Sequence, residues 1–251
     1  MYELLISSGL SSILTYICYK NEYHVLNYVG LLIVYMMYGL VDRYLNRNNY
    51  YKKEITCDER LYVISNIVKS YLLFLYTPIV TILLFSLYNG INMTFVRNIG
   101  ILYSLPDIVS LVVVNKMSQN TIIHHIVVVI LSLMTLMIDY SNSLYIYIPI
   151  IYGIFSTYAY MVNTVLSFRY LKISKNINYR MVKSSMNIYI GSCMINWTIN
   201  LYIFIQLFSN FSINGYIYNI IYMFLVYNLM KDDIILIKWL KYKTEKLSIK
   251  N

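Results

Sequence analysis

The sequence predicts an all-α membrane protein, a polytopic helical bundle of about eight spans: six core helices plus an N-terminal hairpin. Three observations carry this. Of the 251 residues, 59% are hydrophobic and only 12% charged, where a soluble domain carries about a quarter charged residues. The chain has just 8 Gly and 3 Pro, which excludes collagen-like and disordered compositions. Apolar runs of roughly 17–25 residues, the length that crosses a bilayer, recur along the whole chain.

The runs cover residues 3–19, 24–41, 61–88, 92–114, 121–138, 144–168, 186–208 and 214–237. The first two are short and form the hairpin, within a segment 1–45. A polar cytoplasmic linker, 46–60, closes the stretch DRYLNRNNYYKKEITCDER and leads to the six-helix domain 61–240. A basic tail, 241–251, follows. The N-terminus lacks a basic n-region and a small-residue cleavage site, so no removable signal peptide is expected.

Charge sets the expected orientation. Seventeen of the twenty Lys and Arg residues fall in loops on one side of the eight-span arrangement, with Lys20 alone in the loops opposite. The positive-inside rule then puts both termini in the cytoplasm. The net charge of +9 therefore belongs to loops facing anionic cytoplasmic headgroups, and no nucleic-acid partner is implied. Sequons at Asn92 and Asn210 fall on the lumenal side, close to the membrane, and the one at Asn196 lies silent within a span. One alanine, Ala159, against 30 tyrosines and many Ile, Asn and Lys indicates an AT-rich genome, such as a protist's or a large DNA virus's. The three cysteines, Cys18, Cys57 and Cys193, have neither disulfide nor metal spacing.

The stretch TIIHHIVVVILSLMTLMI poses the functional question. Two histidines, His124 and His125, open a run built for lipid. At 1.5 Å per residue they lie roughly 6 Å in from the cytoplasmic end, and Asp107 roughly 12 Å. Lys69, Asn163 and Asn228 occupy the same half of their spans, while Ser156, Thr157, Asn196 and Asn200 lie nearer mid-membrane. An ionisable group inside a span costs at least about 2.5–3.5 kcal/mol, so such groups face a bundle interior or wet cavity and find partners. The economical arrangement is one polar cavity open to the cytoplasm, lined by Lys69, Asp107, one or both histidines and Asn163. Adjacent helical residues diverge by 100°, so both histidines cannot aim at one point. Pro106 frees a backbone carbonyl beside Asp107. The Tyr-rich stretch LYIYIPIIYGIFSTYAY reads as an aromatic belt with helix packing. No metal-site spacing, Walker loop, dinucleotide fingerprint or nucleophile elbow occurs.

An Asp in one span followed by an adjacent His pair in the next resembles the TLC domain, named for TRAM, Lag and CLN proteins. The matching pieces are YSLPDIVSLVVVNKMSQNTIIHHIVVVILSLM and, more loosely, IYGIFSTYAYMVNTVLSFRYL. In the second, Ser156 and Thr157 match the family's ELST, Ile154 replaces its Glu, and Asn163 and Arg169 follow. Arg60 and Ser65 of RLYVISNIVKS match the start of the family's second span, without its usual His. The family includes ceramide synthases, in which a His pair acts in acyl transfer from acyl-CoA. The synthase run after the histidines is absent here and no His follows His125, so the non-synthase branch is implied.

The resemblance implies a protein acting on or sensing membrane lipids of fatty-acyl or sphingolipid type, in the endoplasmic reticulum or another endomembrane. It carries His124, His125 and Asp107 as candidate catalytic residues and Ser156, Thr157 and Asn163 as candidate substrate-binding residues, which Lys69 joins from the polar layer. No metal or other cofactor is expected; acyl-CoA is a possible substrate. Two alternatives stand beside it: an acyl-CoA-dependent lipid acyltransferase, and a non-catalytic membrane chaperone or trafficking receptor.

Overall fold

A computed structural model describes residues 2–18, 23–86, 92–115, 117–137, 144, 147–209 and 213–248. All regular structure among them is helical. The helices are α1 (Tyr2–Cys18), α2 (Tyr23–Leu45), α3 (Asn49–Glu54), α4 (Cys57–Ser86), α5 (Met93–Val113), α6 (Gln119–Met137), α7 (Tyr147–Thr157), α8 (Tyr160–Ser167), α9 (Lys175–Ser209) and α10 (Ile213–Ser248). Among the described residues, five helices are long and apolar enough to cross a membrane, by the stretches Val25–Leu45, Cys57–Phe85, Met93–Val113, Gln119–Leu136 and Lys175–Phe208. Their outward faces are apolar: Ile82 is 70% exposed, Phe85 79% and Leu201 62%. In water such a surface would drive association; against lipid it is matched. The fold is thus compatible with a multi-pass helical membrane bundle. Lys20, Lys116 and Asn210 lie outside the described residues.

Helices α4, α5, α6, α10, α9 and the α7–α8 pair follow one another around a closed ring, each touching the next. Helices α1 and α2 pack together outside it, mainly against α5. One end of the ring is filled by Val80, Leu83, Val96, Leu131, Ile148, Tyr222 and Leu229. The other end collects the N-termini of α4, α6 and α9 with the C-termini of α5, α8 and α10, and there the interior is polar.

Local chemistry sets several boundaries. Thr56 and Glu59 form a capping box at the start of α4: the Thr56 amide donates to Glu59 Oε2 at 2.9 Å and the Glu59 amide to Thr56 Oγ1 at 3.4 Å. Such a pair satisfies two amides left over at a helix start. Asn48 caps α3 by accepting from the Tyr50 amide at 2.9 Å. The polar segment 46–60 is therefore folded, not loose. Tyr51, 1% exposed, anchors it: the hydroxyl donates to Asp42 at 3.3 Å and Arg60 lies over the ring at 5.2 Å. Burial, then the Asp42 carboxylate, raises the pKa of this phenol above its ordinary value.

The run 144–168 departs from the single span expected of it. It is split into α7 and α8 at Tyr158–Ala159, with no Pro or Gly at the break. The hydroxyls of Ser156 and Thr157 instead donate to the carbonyls three residues back, Gly153 at 3.0 Å and Ile154 at 2.7 Å. The Tyr158 and Ala159 amides likewise bond i−3 carbonyls. Side chains that compete for backbone acceptors, combined with a 3₁₀-tightened turn, end the helix.

At Gly30 of α2, a Cβ would stand 2.3 Å from Leu105 Cδ1 and 3.2 Å from Leu102 Cδ2 on α5. Overpacking of this kind costs about 1–3 kcal/mol. Gly30→Leu should therefore lower the thermal midpoint of the purified protein in detergent, whereas Gly39→Leu, where nothing lies within 4 Å, should not.

Candidate functional site

The polar end of the ring encloses a cavity of about 350 Å³. Helix α5 places Asp107, fully buried, behind the wall formed by Lys69 and His125. Asp107 Oδ1 accepts from the Lys69 ammonium of α4 and lies 2.5 Å from His125 Nδ1 of α6. Three neighbouring helices thus converge on one carboxylate. One turn along, Ser65 and Ser110 share a hydrogen bond of 2.7 Å across the same α4–α5 contact, and Ser110 also donates to the Pro106 carbonyl. Pro106 has no amide to offer Leu102, whose carbonyl lies 3.5 Å from the Tyr76 hydroxyl.

The second histidine has its own carboxylate. His124 Nδ1 lies 3.0 Å from Asp232 Oδ2 on α10. The two imidazoles are edge-to-face with centroids 5.8 Å apart. The 100° divergence along α6 thus sends them to different acids, yet both line the one cavity. Neither Nδ1 has another hydrogen-bond partner among the described residues.

Next to Asp232, Asp233 is 5% exposed and, among the described residues, held by neutral donors. The Tyr152 hydroxyl of α7 donates to Oδ2 at 2.5 Å. The Tyr189 hydroxyl of α9 donates to Oδ1 at 2.6 Å, and the Trp197 indole reaches Oδ2 at 3.4 Å. Three convergent donors are what a buried carboxylate without a cation requires. Tyr103 and Ser156 complete the floor with a 2.6 Å hydrogen bond between their hydroxyls.

Below this floor is a second, smaller space of about 90 Å³, lined chiefly by apolar side chains such as Val80, Leu83, Val96, Ile99 and Leu131. Tyr103, His124, Tyr152 and Ser156 line both spaces. A polar chamber at the ring's basic end and an apolar limb toward its centre therefore meet at His124.

Of the residues expected at a site, Lys69, His124, His125, Ser156 and Asn163 line the chamber. Asp107 stands behind Lys69 and His125. Thr157 does not belong: it is fully buried and its hydroxyl is spent on Ile154. Asn228 also lies outside, with its amide donating to the Phe224 carbonyl of its own helix. The aromatic-belt expectation fails at Tyr152, which points inward to Asp233. Asn92 serves as the N-cap of α5, accepting from the Phe95 amide at 3.0 Å. Asp232, Asp233, Tyr189 and Trp197 were missed. Their signal was available: KDD, residues 231–233, puts two acids inside an apolar run.

Among the described residues no three His, Cys, Asp or Glu side chains are placed to hold a metal ion. The chamber's equipment is two imidazoles, each on a carboxylate, an ammonium and a third carboxylate among phenols. Chemically it can bind polar groups, orient an imidazole and move a proton. No family model, curated protein or solved structure matches the chain.

Proposed function

We propose that the chain is a multi-pass membrane protein that takes an amphiphilic lipid into the ring, with the polar group in the His–carboxylate chamber and hydrocarbon in the apolar limb. One observation carries this: a chamber of ionisable groups and an apolar limb join at a shared wall of Tyr103, His124, Tyr152 and Ser156. Ligand sites pair a few placed polar groups with apolar lining in this way. The bias of Lys and Arg toward the chamber end supports a cytoplasmic opening. The sequence resemblance to the non-synthase TLC branch supports the lipid reading, a six-helix core and an endomembrane location.

The His124–Asp232 contact favours a catalytic form of the same reading. A carboxylate on Nδ1 fixes the ring and leaves Nε2 as the nitrogen available to a ligand. That is the arrangement of a general base in acyl transfer. His125, closer to full burial and shared with Lys69 on Asp107, is the positioning partner.

The test is lipid mass spectrometry on membranes expressing the wild type or His124→Ala/His125→Ala at matched protein level. A lipid class that rises only with the wild type is the expected result for an enzyme, and it names the product. Lipid retained by the purified wild type alone, with bulk composition unchanged, is the expected result for a binder or sensor. If both comparisons show no difference, the histidines only hold helices together and the proposal fails.

A further inference from the structure

The mouth of the chamber carries a guanidinium whose charge no carboxylate among the described residues meets. Arg169 lies in the connection between α8 and α9 and is exposed, and its side chain lines the chamber. Its guanidinium carbon stands 5.1 Å from the ring centroid of Trp239 on α10 and 5.7 Å from that of Tyr62 on α4. Two rings from opposite sides of the mouth therefore hold one cation. The acids nearest the mouth are engaged elsewhere: Glu59 in the α4 capping box, Asp58 as an acceptor from Asn115 at 3.3 Å. Contact with aromatic rings uses the guanidinium's faces and charge, and leaves the N–H donors in its plane for a ligand. That planar fork matches the oxygens of a phosphate.

The charges further in set where an anion can go. Asp107, Asp232 and Asp233 stand against Lys69 and two histidines, so the chamber itself does not favour an acidic headgroup. The mouth does. From outside inward the order is a forked cation, a polar chamber and an apolar limb.

We propose that Arg169 is the phosphate receptor of this cavity, so that the amphiphile it takes is a phosphate ester. This deepens the lipid-binding proposal and rests on it. The same chemistry fits a bilayer phospholipid or a soluble phosphate compound.

The full chain, purified in maltoside micelles, would be titrated with dioleoyl phosphatidic acid, dioleoylglycerol and inorganic phosphate, with binding read by native mass spectrometry. The wild type should bind phosphatidic acid more tightly than dioleoylglycerol. Arg169→Ala should weaken phosphatidic acid at least about tenfold, the scale of one charged hydrogen-bonding partner, and leave dioleoylglycerol unchanged. Arg169→Lys, which keeps the charge without the fork, should fall between them. Phosphatidic acid bound alike by the wild type and Arg169→Ala overturns this proposal and leaves the lipid cavity standing. Neither lipid bound by the wild type, and no phosphate bound either, overturns both. Inorganic phosphate bound by the wild type and lost in Arg169→Ala supports the receptor and assigns its source to a soluble compound. Phosphatidic acid binding that Arg169→Ala weakens, with no inorganic phosphate bound by the wild type, supports it and assigns the source to the bilayer.

Discussion

Lys69→Met is expected to destabilise the protein by about 3–5 kcal/mol, the range for removing one partner of a buried ion pair. Asp107 is fully buried and Lys69 9% exposed. Without the ammonium, Asp107 Oδ1 keeps only the contact with the His125 imidazole among the described residues, and Oδ2 has no hydrogen-bond partner among them. The pair joins α4 to α5 through the wall of the chamber, so the loss should appear as a lower thermal midpoint in detergent. Lys69→Met/Asp107→Leu should recover much of it, since an apolar replacement of both partners removes the stranded charge as well as the attraction. Recovery in the double variant separates a stranded charge from simple loss of packing. A single variant as stable as the wild type would mean that the contact does not hold the two helices together.

Asp233→Ala is expected to cost several kcal/mol through a different route. The carboxylate is the acceptor for the Tyr152 and Tyr189 hydroxyls and the Trp197 indole, on α7 and α9. Deleting it strands three donors, and each buried unsatisfied group costs about 1–3 kcal/mol. Asp233→Asn keeps one acceptor oxygen and should cost less. Tyr152→Phe removes one donor while the carboxylate keeps two, and should be the mildest of the three. Thermal unfolding of the three variants should therefore rank Asp233→Ala, Asp233→Asn, Tyr152→Phe from most to least damaged. The reverse order would show that the acceptor is not the hub.

The parts of the site that stood out in the sequence did so because lipid makes ionisable groups conspicuous. Lys69, Asp107, His124 and His125 interrupt apolar runs, and the inference that they share a cavity follows from the cost of leaving them alone in hydrocarbon. Asp232 and Asp233 carried the same signal. The expected span 214–237 puts them near its cytoplasmic end, whereas α10 runs 36 residues, to Ser248. At about 54 Å it outruns the hydrocarbon, and its acids lie near its middle. Tyr152 was hidden by its neighbours, because in a chain with 30 tyrosines one inward-facing phenol has no distinguishing mark. The break at Tyr158–Ala159 was equally hidden. It comes with a 3₁₀-tightened turn at Tyr158–Ala159, which neither Pro nor Gly marks in the sequence. The ring closure, with α10 returning beside α6, depends on which faces meet, and hydropathy does not encode that.

The central claim is that chamber and limb form one site for one amphiphile. The direct test is mass spectrometry of lipid retained by the purified full chain, wild type against Ile99→Trp. Ile99 lines the limb from a partly buried position, so an indole there fills the space while His124, Asp107, Asp232 and Arg169 keep their own side chains. A matched thermal midpoint establishes that the variant is folded. The account predicts that the wild type retains a defined lipid and the folded Ile99→Trp protein does not. Retention of the same lipid, in the same amount, by the blocked variant would contradict it.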